Sequence, residues 1–420
     1  MKVLLIGSGG REHALAQALR RDPQLKELHA APGNPGIADF ATLHDLDIEQ
    51  NALVVALAKE LAVDLVIIGP EKPLVNGLAD DLRRAGIAVF GPSAIAAKLE
   101  GSKDFAKQVM HDAGVPTARS FTCSTEVLIE AALDAFGAPY VVKHDGLAAG
   151  KGVVVTSDRQ LALDHAYLST RVVIEEFLDG PEISLFGISD GTTILAMVAA
   201  QDFKRVFDGD LGPNTGGMGA YSPVPWAPTD IVEQTLLQVL KPTIAEMNAR
   251  GTPFIGLLYA GLALTSEGLK VIEFNARFGD PEAQVLLPRL KTPLATLLYQ
   301  AATGALHEAP ALEWSAESAV SVVLAAEGYP STPQIGDPIT GMDSVEGAFV
   351  YQAGTTIKDG VLQSAGGRVL SVTAMGQNLS MARSKAYEGI SKITLRGSHY
   401  RSDIALKALT QNKTTEVEDN

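Results

Sequence analysis

Short apolar runs alternate with helix-period segments as far as residue 91, and this alternation constrains the fold more than any other feature. KVLLI (2–6), DLVIIG (64–69) and AVFG (88–91) read as buried strands. Between them, helical periodicity runs from Arg11 to Arg20, near 48–61 and near 73–85. Strands and helices in strict alternation build a parallel sheet with helices on both faces. Three turns, GSGG, APGNPG (31–36) and GPE (69–71), then fall at strand ends on one edge, where such sheets bind ligands.

A chain of 420 residues exceeds one ordinary core. The texture divides it into an α/β substrate domain (1–102), a central domain (103–318) with a lid over about 121–190, and a small α+β domain (319–420). The strands YVVKH, GVVVT, RVVIEEF and PEISLFGIS, with one helix at 158–168, suggest the lid. Residues 202–226 read as a long Gly- and Pro-rich loop, and loops of that length inside a domain are usually functional. A long helix (229–250), the strands FIGLLYAGLAL and LKVIEFNA, and a helix near 377–391 complete the reading.

The formal net charge of −15 argues against nucleic acid or anionic membrane as partners. Cys123 is the single cysteine, so no intrachain disulfide forms and a reducing compartment is expected. The longest apolar region, 254–264, is too short to span a bilayer, and no signal peptide is evident. A cytoplasmic monomer is the expectation.

Five segments carry chemistry. In GSGGREH, Glu12 stands where a dinucleotide fingerprint needs its third glycine. The turn still offers backbone N–H groups to one phosphate through Gly9, Gly10 and Arg11, with Gly33, Asn34 and Glu71 on the same edge. The alternative is a tight turn without a ligand. KHDGLAAGKGVVV places Lys143, Gly146, Gly150, Lys151 and Gly152 in a loop suited to cover phosphates, or in a plain hairpin turn. VIEEFLDGPEIS offers the backbone of Glu175, Glu176, Phe177 and Leu178 to an adenine edge, and Glu182 to ribose hydroxyls. In IEFNARFGDPE, Glu273 and Asn275 share a strand face and suit Mg²⁺ or Mn²⁺. Arg277, on that face if the strand persists, would clamp phosphoryl charge, with Asp280 beyond it. GPNTGGMGAYSP supplies Asn214, Gly216, Gly217 and Met218 to a backbone nest for a carboxylate or acyl phosphate.

A sugar-phosphate edge, a Lys/Gly flap, an adenine strand and a metal strand together describe ATP-driven activation of a carboxylate. Phosphoryl transfer of this kind needs positioning and charge neutralisation rather than a covalent nucleophile. A dinucleotide-dependent oxidoreductase and a silent nucleotide-binding module are the competing classes.

The segments GSGGREHAL, DGLAAGKGV, GPNTGGMGAYSP, YAGL, EFNARFGDPEAQ and GGRVL stand in order over nearly the whole chain. In them the sequence resembles the phosphoribosylamine–glycine ligase family of purine biosynthesis, within the ATP-grasp superfamily. The resemblance implies an N-terminal doubly wound domain, an ATP-grasp core with a mobile lid, and a small C-terminal domain. It implies ATP, glycine and 5-phosphoribosylamine as substrates, joined through a glycyl phosphate. It gives Lys103 and Lys143 to the nucleotide phosphates, Glu273 and Asn275 to the metal, and Lys143 and Arg277 to catalysis. Another ATP-grasp carboxylate–amine ligase of purine metabolism is the alternative. The chain departs from the family pattern at His144, Phe203 (a histidine in QDHKR), Gln352 and the 403–409 segment.

Overall fold

The structure is a computed structural model, and it describes residues 1–147 and 152–410. Five parallel strands open the chain: β1 (Lys2–Gly7), β2 (Glu27–Pro32), β3 (Thr42–Leu43), β4 (Leu65–Ile68) and β5 (Ala88–Phe90), in the order β3-β2-β1-β4-β5. The side chains of Val3–Ile6 and Leu65–Ile68 are buried, because helices cover both faces and no strand face is left for water.

The lid is a separate antiparallel sheet of β6 (Ser120–Cys123), β7 (Tyr140–His144), β8 (Val153–Thr156) and β9 (Val172–Glu175), in the order β6-β9-β7-β8. It carries two helices, Glu126–Phe136 and Arg159–Tyr167, where the sequence suggested one. Ile129, Ala132 and Leu133 form the buried stripe of the first. Exposed Val127 and Leu128 blur that stripe in the sequence.

β10 (Glu182–Asp190), expected in the lid, pairs instead with β11 (Ile194–Ala196) and with the central hairpin strand β16 (Ile255–Thr265). β17 (Gly268–Asn275) completes the sheet β11-β10-β16-β17. Eight of the nine β10 residues are buried, which a mobile lid strand would not be.

The 202–226 stretch is not one loop. It holds β12 (Gln201–Asp202), the hairpin β13 (Arg205–Phe207) and β14 (Leu211–Asn214), and β15 (Gly219–Ser222). β15 pairs along its length with β18 (Ser318–Ala325), so the last sheet reads β12-β15-β18-β22-β19, with β19 at Phe349–Gln352 and β22 at Arg368–Gly376. Its glycines and prolines disguise short strands, one of which, β15, has a partner a hundred residues downstream. Among the described residues no helix is long and apolar enough to cross a membrane.

Candidate active site

A cleft of about 1350 Å³ opens where the parallel-sheet edge, the lid hinge, the β16–β17 hairpin and the C-terminal sheet meet. On the parallel-sheet side, Glu12 explains its own failure to be glycine. Its carboxylate accepts from the Gly9 N–H at 2.7 Å and from Arg11 Nε at 2.5 Å, reaching back from the first turn of the Gly10–Leu19 helix to the backbone that caps it. It occupies the crevice so fully that a Cβ on Gly69 would lie 2.0 Å from Glu12 Oε1. Arg11 also donates to the Phe278 carbonyl at 3.2 Å.

Gly9, Arg11 and Glu71 line the cleft; Gly10, Gly33 and Asn34 do not. Asn34, expected to bind substrate, is buried and spent on structure. It donates to the Ser8 and Gln352 carbonyls at 2.7 and 2.8 Å and accepts from Ile37 N–H at 3.0 Å. Gln352 thereby joins the first domain to the last, and its N–H donates to His13 Nδ1 at 2.9 Å.

At the lid hinge, Lys143 on β7 donates to the Ile272 carbonyl at 2.9 Å and pairs with Glu175 at 2.9 Å. The backbone beyond β9 takes Glu176, Phe177 and Leu178 along the cleft. Glu176 is anchored by Arg119 Nε at 2.6 Å. Lys103 reaches the Gly146 carbonyl at 3.2 Å, and Gly146 and Gly152 flank the cleft mouth. Gly150 and Lys151 lie outside the described residues. His144 stacks on His165, ring centres 4.2 Å apart, within the lid. Glu182, largely exposed, pairs with Lys204 at 3.3 Å.

Glu273 and Asn275 lie on the cleft wall of β17. Burial alone would raise the Glu273 carboxyl, but Lys143, Lys204, Lys103 and Arg277 together hold it below the usual carboxylate range. Among the described residues no hydrogen bond or salt bridge engages it. An ionised oxygen donor without a partner, next to the Asn275 amide oxygen, fits a divalent cation. Among the described residues no three His, Cys, Asp or Glu side chains gather to hold a metal by themselves. The pair therefore suits an ion whose shell is completed by phosphate and water.

Arg277 is not on that strand: β17 ends at Asn275, and the guanidinium turns to Glu100 at 3.1 Å and Glu71 at 3.4 Å. Its contact with Asn275 Oδ1 is a marginal 3.5 Å. Burial disfavours its charge, yet Glu100 and Glu71 outweigh burial and raise its pKa. The Glu100 pKa is raised as well, but here by burial, which outweighs the opposing pull of Arg277.

The remaining wall mixes expected and missed residues. Asn214, Gly216 and Asp280 line it, whereas Gly217 and Met218 lie behind it, Met218 packing in a small core with Val206 and Ala325. Asp280 is held low by Arg368 and Arg11, which overcome its burial. Arg368, missed from the sequence, donates to the Gly216 and Asp280 carbonyls at 2.7 and 2.6 Å. Also missed were Lys107 and the cluster Asp202, Lys204, Tyr259 and Glu282. There Tyr259 donates to Glu282 at 2.6 Å and Lys204 pairs with Asp202 at 2.8 Å. The signal for Glu282 lay in DPEAQ; nothing local singled out Tyr259. Phe203 packs with Tyr221 and under the Arg401 guanidinium, 4.9 Å from its ring centre.

The family models for phosphoribosylglycinamide synthetase match in chain order: the N domain over residues 1–100, the ATP-grasp (A) domain over 101–283 and the C domain over 319–407. A phosphoribosylamine–glycine ligase of Streptomyces coelicolor is 60% identical over 413 residues, 97% of this chain and 99% of that one. The crystal structure of phosphoribosylamine–glycine ligase from Thermotoga maritima superposes with a TM-score of 0.83 at 33% identity, over 96% of this chain and 100% of that one. A biotin carboxylase domain from Hydrogenobacter thermophilus, solved with MgADP, ADP and bicarbonate, shares the fold at a TM-score of 0.73 and 16% identity, over 95% of this chain and 91% of that one.

Proposed function

The chain belongs to the phosphoribosylglycinamide synthetase family and performs the ATP-dependent ligation that yields glycinamide ribonucleotide in purine biosynthesis, and from that premise we propose how its cleft does so. The nucleotide lies between lid and core, its adenine edge along the Glu176–Leu178 backbone and its ribose near Glu182. Lys103 and Lys143 hold its phosphates. Glu273 and Asn275 would hold Mg²⁺ or Mn²⁺, which supplies charge neutralisation and polarises the terminal phosphoryl group.

The glycine carboxylate attacks that phosphoryl group, forming glycyl phosphate and ADP. The amine of 5-phosphoribosylamine then attacks the acyl carbon and phosphate leaves. Arg277, held by Glu100 and Glu71, presents its charge to the transferring group; Arg11, Gly9 and Asp280 bound the acceptor side. The proposal takes the enzyme as a cytoplasmic monomer acting on small molecules, in keeping with its net charge of −15. It divides the chain near residues 102 and 318.

The observation that carries this reading is the ionised Glu273 carboxylate, unpaired, in the field of Lys103, Lys143, Lys204 and Arg277. An ADP-release assay with glycine and 5-phosphoribosylamine omitted in turn tests it. Release should need both; release at the full rate without glycine rejects carboxylate activation.

A further inference from the structure

Glu175 is an ion-pair hub rather than a solvated acid at a strand end. Its two carboxylate oxygens divide between two lysines: Oε2 meets Lys143 Nζ at 2.9 Å and Oε1 meets Lys107 Nζ at 3.2 Å. All three side chains are nine-tenths or more buried. Lys107 comes from the Lys103–Asp112 helix and is fixed in place by Thr117 Oγ1 and the Ala118 carbonyl, each at 2.9 Å. The triad thus carries one net positive charge, buried beside the hinge, with a single carboxylate shared between two ammonium groups.

Such an arrangement is incomplete without an anion. Lys143 has two bonds to give up, to Glu175 and to the Ile272 carbonyl, and it sits beside Glu273 on the nucleotide side. Lys107 borders the cleft too, but its ammonium is tied to Thr117 Oγ1 and the Ala118 carbonyl as well as to Glu175. We propose that Lys107 is a positioning residue of the nucleotide site: it keeps Glu175 neutralised, so that Lys143 is free to turn its ammonium onto the incoming phosphates. The inference rests on the reading of Lys143 as a phosphate contact. Without Lys107, the buried Glu175 carboxylate would hold Lys143 for itself, since an unpaired buried charge is costly.

The charged groups facing Lys107 are Glu175 on β9, Lys143 on β7 and Glu176 at the hinge. Burial lowers Lys107 to about 8, against the opposing pull of Glu175, with Lys143 adding to the lowering. Departure of Lys143 toward an anion relieves that repulsion and favours protonated Lys107. Nucleotide binding then takes up a proton above pH 8, and affinity falls as pH rises.

Equilibrium binding of a non-hydrolysable ATP analogue with Mg²⁺, by calorimetry at pH 7 and 9, tests this on the full chain. Wild-type affinity should fall by about fivefold to tenfold over that range. Lys107→Arg, which keeps its charge, should bind nearly equally at both pH values. Lys107→Met should bind weakly at both, with thermal unfolding showing it folded. A Lys107→Arg profile that still falls through pH 8, or wild-type binding by Lys107→Met, overturns the proposal. Lys143→Met serves as the reference: wild-type binding by that variant would instead remove the phosphate-contact reading beneath it.

Discussion

Glu100 lies 3.1 Å from Arg277, bridging the Lys98–Gly101 helix to the turn that follows β17. The same carboxylate accepts from the Ala276 N–H at 2.8 Å, so it fixes the backbone as well as the charge of that turn. Arg277 is therefore aimed before any substrate arrives, which is the condition for electrostatic stabilisation of a transition state.

Arg277→Ala should lower turnover by on the order of 10²–10³, as expected when an aimed donor is removed. Steady-state ADP release measures it. Turnover within a few-fold of the parent takes Arg277 out of the catalytic set.

Glu273→Gln should move the Mg²⁺ dependence of turnover to higher concentration, because the neutral amide keeps an oxygen donor but loses the charge. A metal titration superimposable on that of the parent would put the cation elsewhere.

Gly69→Ala should destabilise the first domain by about 1–3 kcal/mol, the usual cost of forced overpacking. The added methyl meets Glu12 Oε1 at 2.0 Å, and Glu12 is buried and cannot swing clear without giving up its bond from the Gly9 N–H. In a Glu12→Ala background the same change should cost much less. Additive costs in the denaturation cycle would show that Glu12 is not the obstacle.

His13 gives the first and last domains a pH-dependent seam. Burial pushes its ring down to about 4 from an ordinary 6.5. The folded value lies below the unfolded one, so stability is full above pH 6.5 and is lost as pH falls toward 4. At pH 5 the loss from this group is on the order of 2 kcal/mol. His13→Gln should flatten the urea-unfolding profile between pH 7 and 5; an unchanged slope would assign the acid sensitivity to other groups.

Three strands of the parallel sheet, β1, β4 and β5, were readable because each is a short apolar run between periodic helices; β2, with its Glu27 and His29, and the two-residue β3 gave no such signal. Much of the cleft wall was readable because its residues come in local clusters: Lys143 with Gly146, Glu175 with Leu178, Glu273 with Asn275. What escaped depends on tertiary pairing. β15 looked like a glycine loop because its partner, β18, is a hundred residues downstream. Asn34 has the composition of a ligand contact, yet its amide is consumed by Ser8 and Gln352, the latter far away in the chain. Arg368 and Lys107 gain their meaning only from the carbonyls and carboxylate that the fold brings to them.

Because Gly219–Ser222 is sandwiched between Gln201–Asp202 and Ser318–Ala325, the final hundred residues are no detachable appendage. A stop codon ahead of residue 318 would strip that strand of its neighbour and unsettle the hairpin whose Asn214 stands at the cleft. Gene fission, or exchange of tails between relatives, would have to carry residues 201–222 along with the tail.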